Sequence, residues 1–138
     1  MSKALAIGVL IALLIFAGCN STNNIVAIDS NKVKELSIAS LNDTPNGWLW
    51  HQKKVTKISD IEKVVDFISS LKLEKVKQIP EQGTGLMIKL KEDKEYTFIF
   101  QGDRVEVNKI LYGVDIKDYE NGRNLYKSLN YTENISRN

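Results

Sequence analysis

The amino-terminal segment constrains the fold most, because its 18 residues are not expected to belong to the folded domain. Residues 4–18 contain no charged or strongly polar side chain, and the only cysteine of the 138-residue chain, Cys19, follows directly. A helix that packs on a soluble domain needs a polar face, and this segment has none. As a helix it would span about 22 Å, against about 30 Å of bilayer hydrocarbon. We therefore expect residues 1–18 to be a signal peptide, with Lys3 as its basic start.

The end of this segment reads Phe16-Ala17-Gly18-Cys19. It resembles the lipobox of bacterial lipoproteins, in which an apolar residue and two small residues precede a cysteine, although Phe16 stands where leucine is usual. The resemblance implies cleavage between Gly18 and Cys19 and a diacylglycerol thioether on the Cys19 sulfur. An N-acyl chain such as palmitate can then be added to the Cys19 amino group. A thiolate is the soft nucleophile that this alkylation requires, and two acyl chains anchor a protein stably. The alternative is a free thiol after an uncleaved anchor.

The remaining chain is long enough for one domain and no more. We expect a lipidated tether over residues 19–31, a single domain over 32–130 and a frayed polar tail over 131–138. A single cysteine excludes an intramolecular disulfide and thiolate metal clusters. The formal net charge is +2, and no run of five like charges occurs, so nucleic acid is not expected as a partner.

Two strands and a helix are predicted in the first half of the domain. Alternating apolar residues predict strands over 33–41 and 48–58, joined by a six-residue loop over 42–47. Ser59 and Glu62 have the spacing of a capping box, so a helix should run from about residue 60 to 71 or 72. Its apolar face would consist of Ile61, Val64, Val65, Ile68 and Leu71.

The second half is predicted to be mainly strands. Residues 73–85 contain Pro80, Gly83 and Gly85 and are expected to form an irregular connection. Alternation in "LMIKLKED", "EYTFIFQGD" and "RVEVN" predicts three strands, and "ILYGVDI" a fourth, before a final helix that starts near Asp118 and is weakened by Gly122. The order ββ-α-βββ(β)-α favours an α+β fold with a small antiparallel sheet, covered on one face by one or two helices.

The middle of the chain carries a second resemblance. The succession of "VTKISDIEKVVDFISSL", a Pro/Gly-containing loop, "YTFIFQGDRVEVN" and "LYGVD" is similar to small lipoproteins of Bacillus-type bacteria, in which one α+β domain follows the lipobox. The resemblance covers about half of the chain. It implies no particular activity, because these proteins mostly have none assigned.

The sequence offers no set of catalytic or metal-binding residues. His51 is the only histidine, and no cysteine lies near it, so a zinc site is not expected. No G-x-S-x-G elbow places a nucleophile. "QGTG" at residues 82–85 lacks the lysine and serine or threonine of a phosphate-binding loop. We therefore expect no catalytic residues, no metal and no cofactor apart from the lipid on Cys19.

The candidate binding surface is a group of tryptophans and lysines: Trp48, Trp50, Lys53 and Lys54. The lysines could contact anionic headgroups or a wall polymer; the alternative is a solvated strand edge. At period two, Trp48 and Trp50 would share a face, one of them buried and the other at the rim of a binding surface.

The predicted function is that of a non-enzymatic lipoprotein on the outer face of the cell membrane, binding an envelope protein or polymer. An immunity or inhibitor protein and an envelope hydrolase are the alternatives, and the oligomeric state is left open.

Overall fold

The computed structural model describes residues 26–45, 47–76 and 85–137, in which two helices interrupt a succession of strands. Residues 1–25, which contain the predicted signal peptide and Cys19, lie outside the described residues, as does most of the "QGTG" stretch. After a 3₁₀ turn at Ser30–Lys32, the elements are β1 (Glu35–Thr44), β2 (Gly47–Lys54), α1 (Ile58–Ser70), β3 (Glu74–Lys75), β4 (Gly85–Lys91), β5 (Glu95–Gln101), β6 (Arg104–Val107), β7 (Ile110–Gly113), α2 (Ile116–Ser128) and β8 (Glu133–Arg137).

All the strands join one antiparallel sheet, in the order β3-β7-β6-β5-β4-β1-β2-β8. The longest strand, β1, lies between β2 and β4. The β4–β7 meander therefore pairs with the edge of β1 that the β1–β2 hairpin leaves free. In β4, Leu86, Ile88 and Leu90 are buried while Lys89 and Lys91 are exposed, as the period of two requires. The predicted α+β class and its antiparallel sheet are confirmed.

Both helices cover the same face of the sheet. The buried residues of α1 are Ile61, Val64, Val65 and Ile68, four of the five predicted to form its apolar face. Phe67 of α1 stacks at a tilt on Phe100 of β5, with ring centroids 5.7 Å apart. In α2, a Cβ added at Gly122 would lie 2.6 Å from Leu86 Cδ2 and 2.9 Å from Phe67 Cζ. Gly122 therefore allows α2 to approach both α1 and the sheet, which offsets its low helix propensity.

The predicted capping box at Ser59 is wrong. Helix α1 begins two residues earlier than expected, at Ile58, and its N-cap residue Lys57 has no side-chain capping bond. The hydroxyl of Tyr131 instead stabilises the helix start: it accepts from the Lys57 N–H at 3.1 Å and donates to Asp60 Oδ2 at 2.8 Å. The helix start is thus stabilised from a residue more than 70 positions later, which local spacing does not reveal.

Two predicted boundaries also differ from the structure. The loop expected over 42–47 is shorter, because Thr44 already pairs with Gly47, whose φ of 103° suits the tight turn between them. The tail expected to fray over 131–138 instead contains β8, which pairs with β2 from Lys53↔Glu133 to Leu49↔Arg137. All five residues of β8 are exposed, so no apolar alternation marks the strand in the sequence. The domain therefore extends to residue 137.

Candidate functional site

The second face of the sheet, opposite the helices, carries the candidate site; we call it the helix-distal face. On β2 it presents every second residue: Trp48, Trp50, Gln52 and Lys54. The register places Ser37 of β1 beside Lys54, and Lys89 of β4 beside Ser37. Because side chains alternate along each strand, these residues lie on the face opposite Leu36, Ile38 and Ile88, which pack beneath the helices.

A groove of about 430 Å³ lies at the Lys54 end of this face. Strands β1, β2, β4, β5 and β8 all contribute to its lining. Three lysines (Lys54, Lys89 and Lys91) and two glutamates (Glu35 and Glu95) supply its charges. The groove is therefore polar and slightly cationic, and it is not a filled part of the core.

Register arranges the lining in two rows across the strands. The first row runs Lys54, Ser37, Lys89, Thr97, so two ammonium groups alternate with two hydroxyl groups. With neighbouring strands about 4.8 Å apart, the Cα atoms of Lys54 and Lys89 lie about 10 Å from each other. This row can bind an anion between two cations.

The second row runs Glu35, Lys91, Glu95. The two carboxylates flank one ammonium, so this row carries a net negative charge beside the cationic first row. Gln52 and Asn134, which pair with each other on β2 and β8, add amide donors and acceptors at the groove margin. The lining thus places groups that can bind an anion, a hydroxyl or a cation within one or two residue spacings of each other.

The groove lysines have no carboxylate partner among the described residues. The ion pairs of the described ranges involve other side chains, for example Lys63–Asp60 at 3.0 Å and Lys34–Asp93 at 3.4 Å. Lys54 and Lys89 do not take part in any of them. Their ammonium donors are therefore directed to solvent and available to an anionic ligand.

The two tryptophans share the helix-distal face, as predicted, but they do not line the groove. Trp50 is buried, with its ring over Gly85, where an added Cβ would meet Trp50 Cη2 at 3.6 Å. Trp48 is 41% exposed and lies six residues from Lys54 along β2, a distance of about 20 Å. Of the four predicted surface residues, only Lys54 belongs to the groove.

Lys53 is not a surface residue, which corrects its assignment to the binding surface. It points to the helix-covered face and is only 6% exposed. Its Nζ donates to the carbonyl oxygens of Tyr126 and Leu129, each at 2.8 Å, and lies 4.2 Å from the centroid of the Tyr126 ring. Carbonyls at a helix C-terminus lack intrahelical donors and favour a cation, so Lys53 caps α2 from the sheet.

His51 takes part in a polar cluster beside Lys53. Its Nδ1 lies 3.0 Å from Glu133 Oε2, and the Tyr126 hydroxyl donates to Glu133 Oε1 at 2.8 Å. The Tyr126 hydrogen bond, followed by the one from His51, lowers the pKa of Glu133, while burial and then Glu133 raise the pKa of Tyr126. These contacts join β8 to β2 and α2, so His51 is partnered and is not the solvent-facing residue that an isolated strand would give.

The predicted site missed most of the groove. Alternation in "LMIKLKED" already places Lys89 and Lys91 on one face, and the same holds for Glu35 and Ser37 in β1. What the sequence lacks is the register, which decides that Lys89 stands beside Ser37 and Lys54.

No group of three or more histidine, cysteine, aspartate or glutamate side chains suited to hold a metal ion occurs among the described residues. Within those residues, neither helix has the length and apolar character needed to cross a bilayer. Comparison of the chain with protein-family models, with curated proteins and with solved structures finds no significant match.

Proposed function

We propose that this chain is a lipid-anchored protein of the cell envelope, whose domain binds an anionic, hydroxyl-rich envelope polymer and catalyses no reaction. The observation that carries the proposal is the groove with its unpaired lysines on the helix-distal face. The lipobox resemblance at Gly18 and Cys19 supports the anchor and the extracytoplasmic location.

The two rows of the groove suggest how such a polymer would bind. A phosphate or carboxylate group would accept hydrogen bonds from Lys54 and Lys89, with the Ser37 hydroxyl between them. Hydroxyl groups of the same polymer would pair with Gln52 and Asn134. Glu35 and Glu95, which lie on either side of Lys91 in the register, would accept from a hydroxyl or ammonium substituent one residue spacing away.

The groove is tested with a double variant. Lys54→Gln combined with Lys89→Gln should weaken binding of a synthetic poly(glycerol phosphate) at least about tenfold, because each charge-assisted hydrogen bond contributes about 1.5–3 kcal/mol and 1.4 kcal/mol is a factor of ten. Isothermal calorimetry on the full chain in detergent measures this. Raising the salt concentration should weaken wild-type binding as well.

Lys117→Gln combined with Lys127→Gln is the matched control, since it removes two positive charges from exposed positions of α2 on the opposite side of the domain. It should bind the polymer as the wild type does. Equal affinity of the double variant, the control and the wild type would exclude the groove as the polymer site.

The anchor is tested separately with a palmitate analogue. Wild type should incorporate the label and sediment with membranes, and Cys19→Ser should do neither, because the thioether can form only on the cysteine sulfur. Equal labelling of both proteins would refute the lipid anchor without affecting the groove.

A further inference from the structure

The two edges of the sheet are protected to different degrees. One edge is β3, which has two residues, Glu74 and Lys75, both charged and exposed. The other edge is β8, which has five residues, contains neither proline nor lysine, and exposes 61% of Ile135 at its centre. Short, charged edge strands are a common protection against pairing with another chain, whereas β8 is longer and is charged only at its two ends, Glu133 and Arg137.

The hydrogen-bond phase of the sheet shows which groups β8 leaves free. The Val55 N–H donates to the Leu36 carbonyl at 2.9 Å, so the residues of β2 in phase with Val55 direct their backbone groups to β1. The alternate residues, Trp50 and Gln52, direct theirs to β8, where they pair with Ser136 and Asn134. Glu133, Ile135 and Arg137 therefore direct their N–H and C=O groups outward.

The sequence of β8 suits antiparallel pairing with itself, because the oppositely charged Glu133 and Arg137 lie two residues on either side of Ile135. We propose that this edge binds the β8 strand of a second copy of the chain, antiparallel, with a two-fold axis at Ile135. Ile135 then faces Ile135 of the second copy, and Glu133 faces Arg137. The three outward-directed residues of each copy supply about six backbone hydrogen bonds, two for each facing pair.

Side chains favour the same register. Arg137 has no ion pair among the described residues. The two carboxylate oxygens of Glu133 contact His51 and Tyr126 of its own chain, yet the Glu133 side chain remains 40% exposed. A cross-strand Arg–Glu pair contributes about 0.2–1 kcal/mol, and two such pairs form by symmetry. The exposed Ile135 side chains cover each other at the axis.

The resulting dimer has one continuous sheet. Antiparallel pairing of identical edges puts the two-fold axis perpendicular to the sheet, so both helix-distal faces lie on the same side. A five-residue edge buries less than the about 1,200 Å² of stable interfaces, so the dimer is reversible. Confinement to a membrane raises the effective concentration and favours it, but the pairing itself does not depend on the polymer-binding function.

Disulfide cross-linking tests the register. In an antiparallel hydrogen-bonded pair the Cα atoms are about 5.5 Å apart, which a disulfide can span, so Ile135→Cys should give a covalent dimer on mild oxidation of membranes containing the full chain. Arg137→Cys is the control on the same strand and face, where the two sulfurs would be about 14 Å apart. The parent chain measures the background from Cys19. No dimer at position 135, or equal amounts at both positions, would overturn the proposal.

A proline variant tests the edge without a new cysteine. Because the Ile135 N–H points outward, Ile135→Pro should keep the β2–β8 pairing and the urea midpoint while lowering the dimer fraction at least tenfold in analytical ultracentrifugation of the detergent-solubilised chain. Arg137→Glu, which places like charges opposite each other, should lower the dimer fraction in a protein whose backbone is unchanged. An unchanged dimer fraction in either folded variant would refute edge pairing.

Discussion

Replacing Lys53 by methionine should destabilise the domain by about 3 kcal/mol. Methionine keeps most of the aliphatic stem, so the packing of this 6% exposed side chain changes little. The variant loses both 2.8 Å hydrogen bonds to the α2 carbonyls and the ammonium 4.2 Å from the Tyr126 ring. A hydrogen bond to a charged group contributes about 1.5–3 kcal/mol, and a partly desolvated cation–π contact about 1–2 kcal/mol.

These contributions do not simply add. The Leu129 carbonyl keeps a second donor, the Tyr131 N–H at 3.2 Å, whereas the Tyr126 carbonyl loses its lysine partner at a helix end. Loss of the ammonium also removes the cost of burying a charge, which works in the opposite direction. The balance is a loss of about 3 kcal/mol, dominated by the unsatisfied Tyr126 carbonyl.

Urea unfolding followed by tryptophan fluorescence measures this loss as a lower midpoint with an unchanged slope. Lys54→Met is the matched control: the neighbouring lysine is exposed on the helix-distal face, and its replacement should change the stability by less than about 0.5 kcal/mol. If the two variants had equal midpoints, the assignment of Lys53 as the cap of α2 would be refuted.

Two further changes test the packing of α2 and the attachment of β8. Gly122→Ala should destabilise by about 1–3 kcal/mol in urea unfolding despite alanine's better helix propensity, because the new Cβ would lie 2.6 Å from Leu86 Cδ2. The pKa of Glu133 lies below its ordinary value of 4.5, mainly because of the Tyr126 hydrogen bond, so its contribution to stability is present above pH 4.5 and is lost as the pH falls through the lowered pKa. Glu133→Gln should therefore reduce the acid dependence of the urea midpoint below about pH 4.5.

The Gly122 variant has a control in the same helix, and the Glu133 variant is paired with a change of its hydrogen-bond donor, Tyr126. Asn124→Ala changes an exposed position of α2 and should leave the stability unchanged or slightly raised, so an equal loss at both positions would argue against the steric reason given for Gly122. Tyr126→Phe removes the main cause of the lowered Glu133 pKa and should flatten the acid profile in the same direction, but less than Glu133→Gln does, because the His51 hydrogen bond remains. An acid profile that neither variant alters would contradict the role of this carboxylate.

Local periodicity was sufficient to predict much of the fold. The apolar face of α1 and the alternation of β4 and β5 follow from spacings within ten residues, and they fixed the α+β class. The cap of α1 could not be predicted this way, because the Tyr131 hydroxyl that forms it comes from the far end of the chain. Strand β8 was missed because all of its side chains are exposed and only pairing with β2 makes it a strand.

The candidate site shows the same limit. A lysine in a strand is expected to be solvated, and Lys54 is, but Lys53 is buried because its β2 position faces the C-terminus of α2. The groove depends on which residues of β1, β4 and β5 stand side by side, and the same alternation is compatible with registers shifted by two.

The pairing of β2 with β8 has a consequence for the order of folding. His51 and Glu133 are 82 positions apart, so their contact carries the entropic cost of closing a long loop. Until β8 has joined, one edge of β2 is unpaired, and α1 lacks the Tyr131 hydroxyl at its start. For a chain exported as we propose, the β2–β8 pairing and the Tyr131 contact at the start of α1 would form only after residues 131–137 have left the translocation channel.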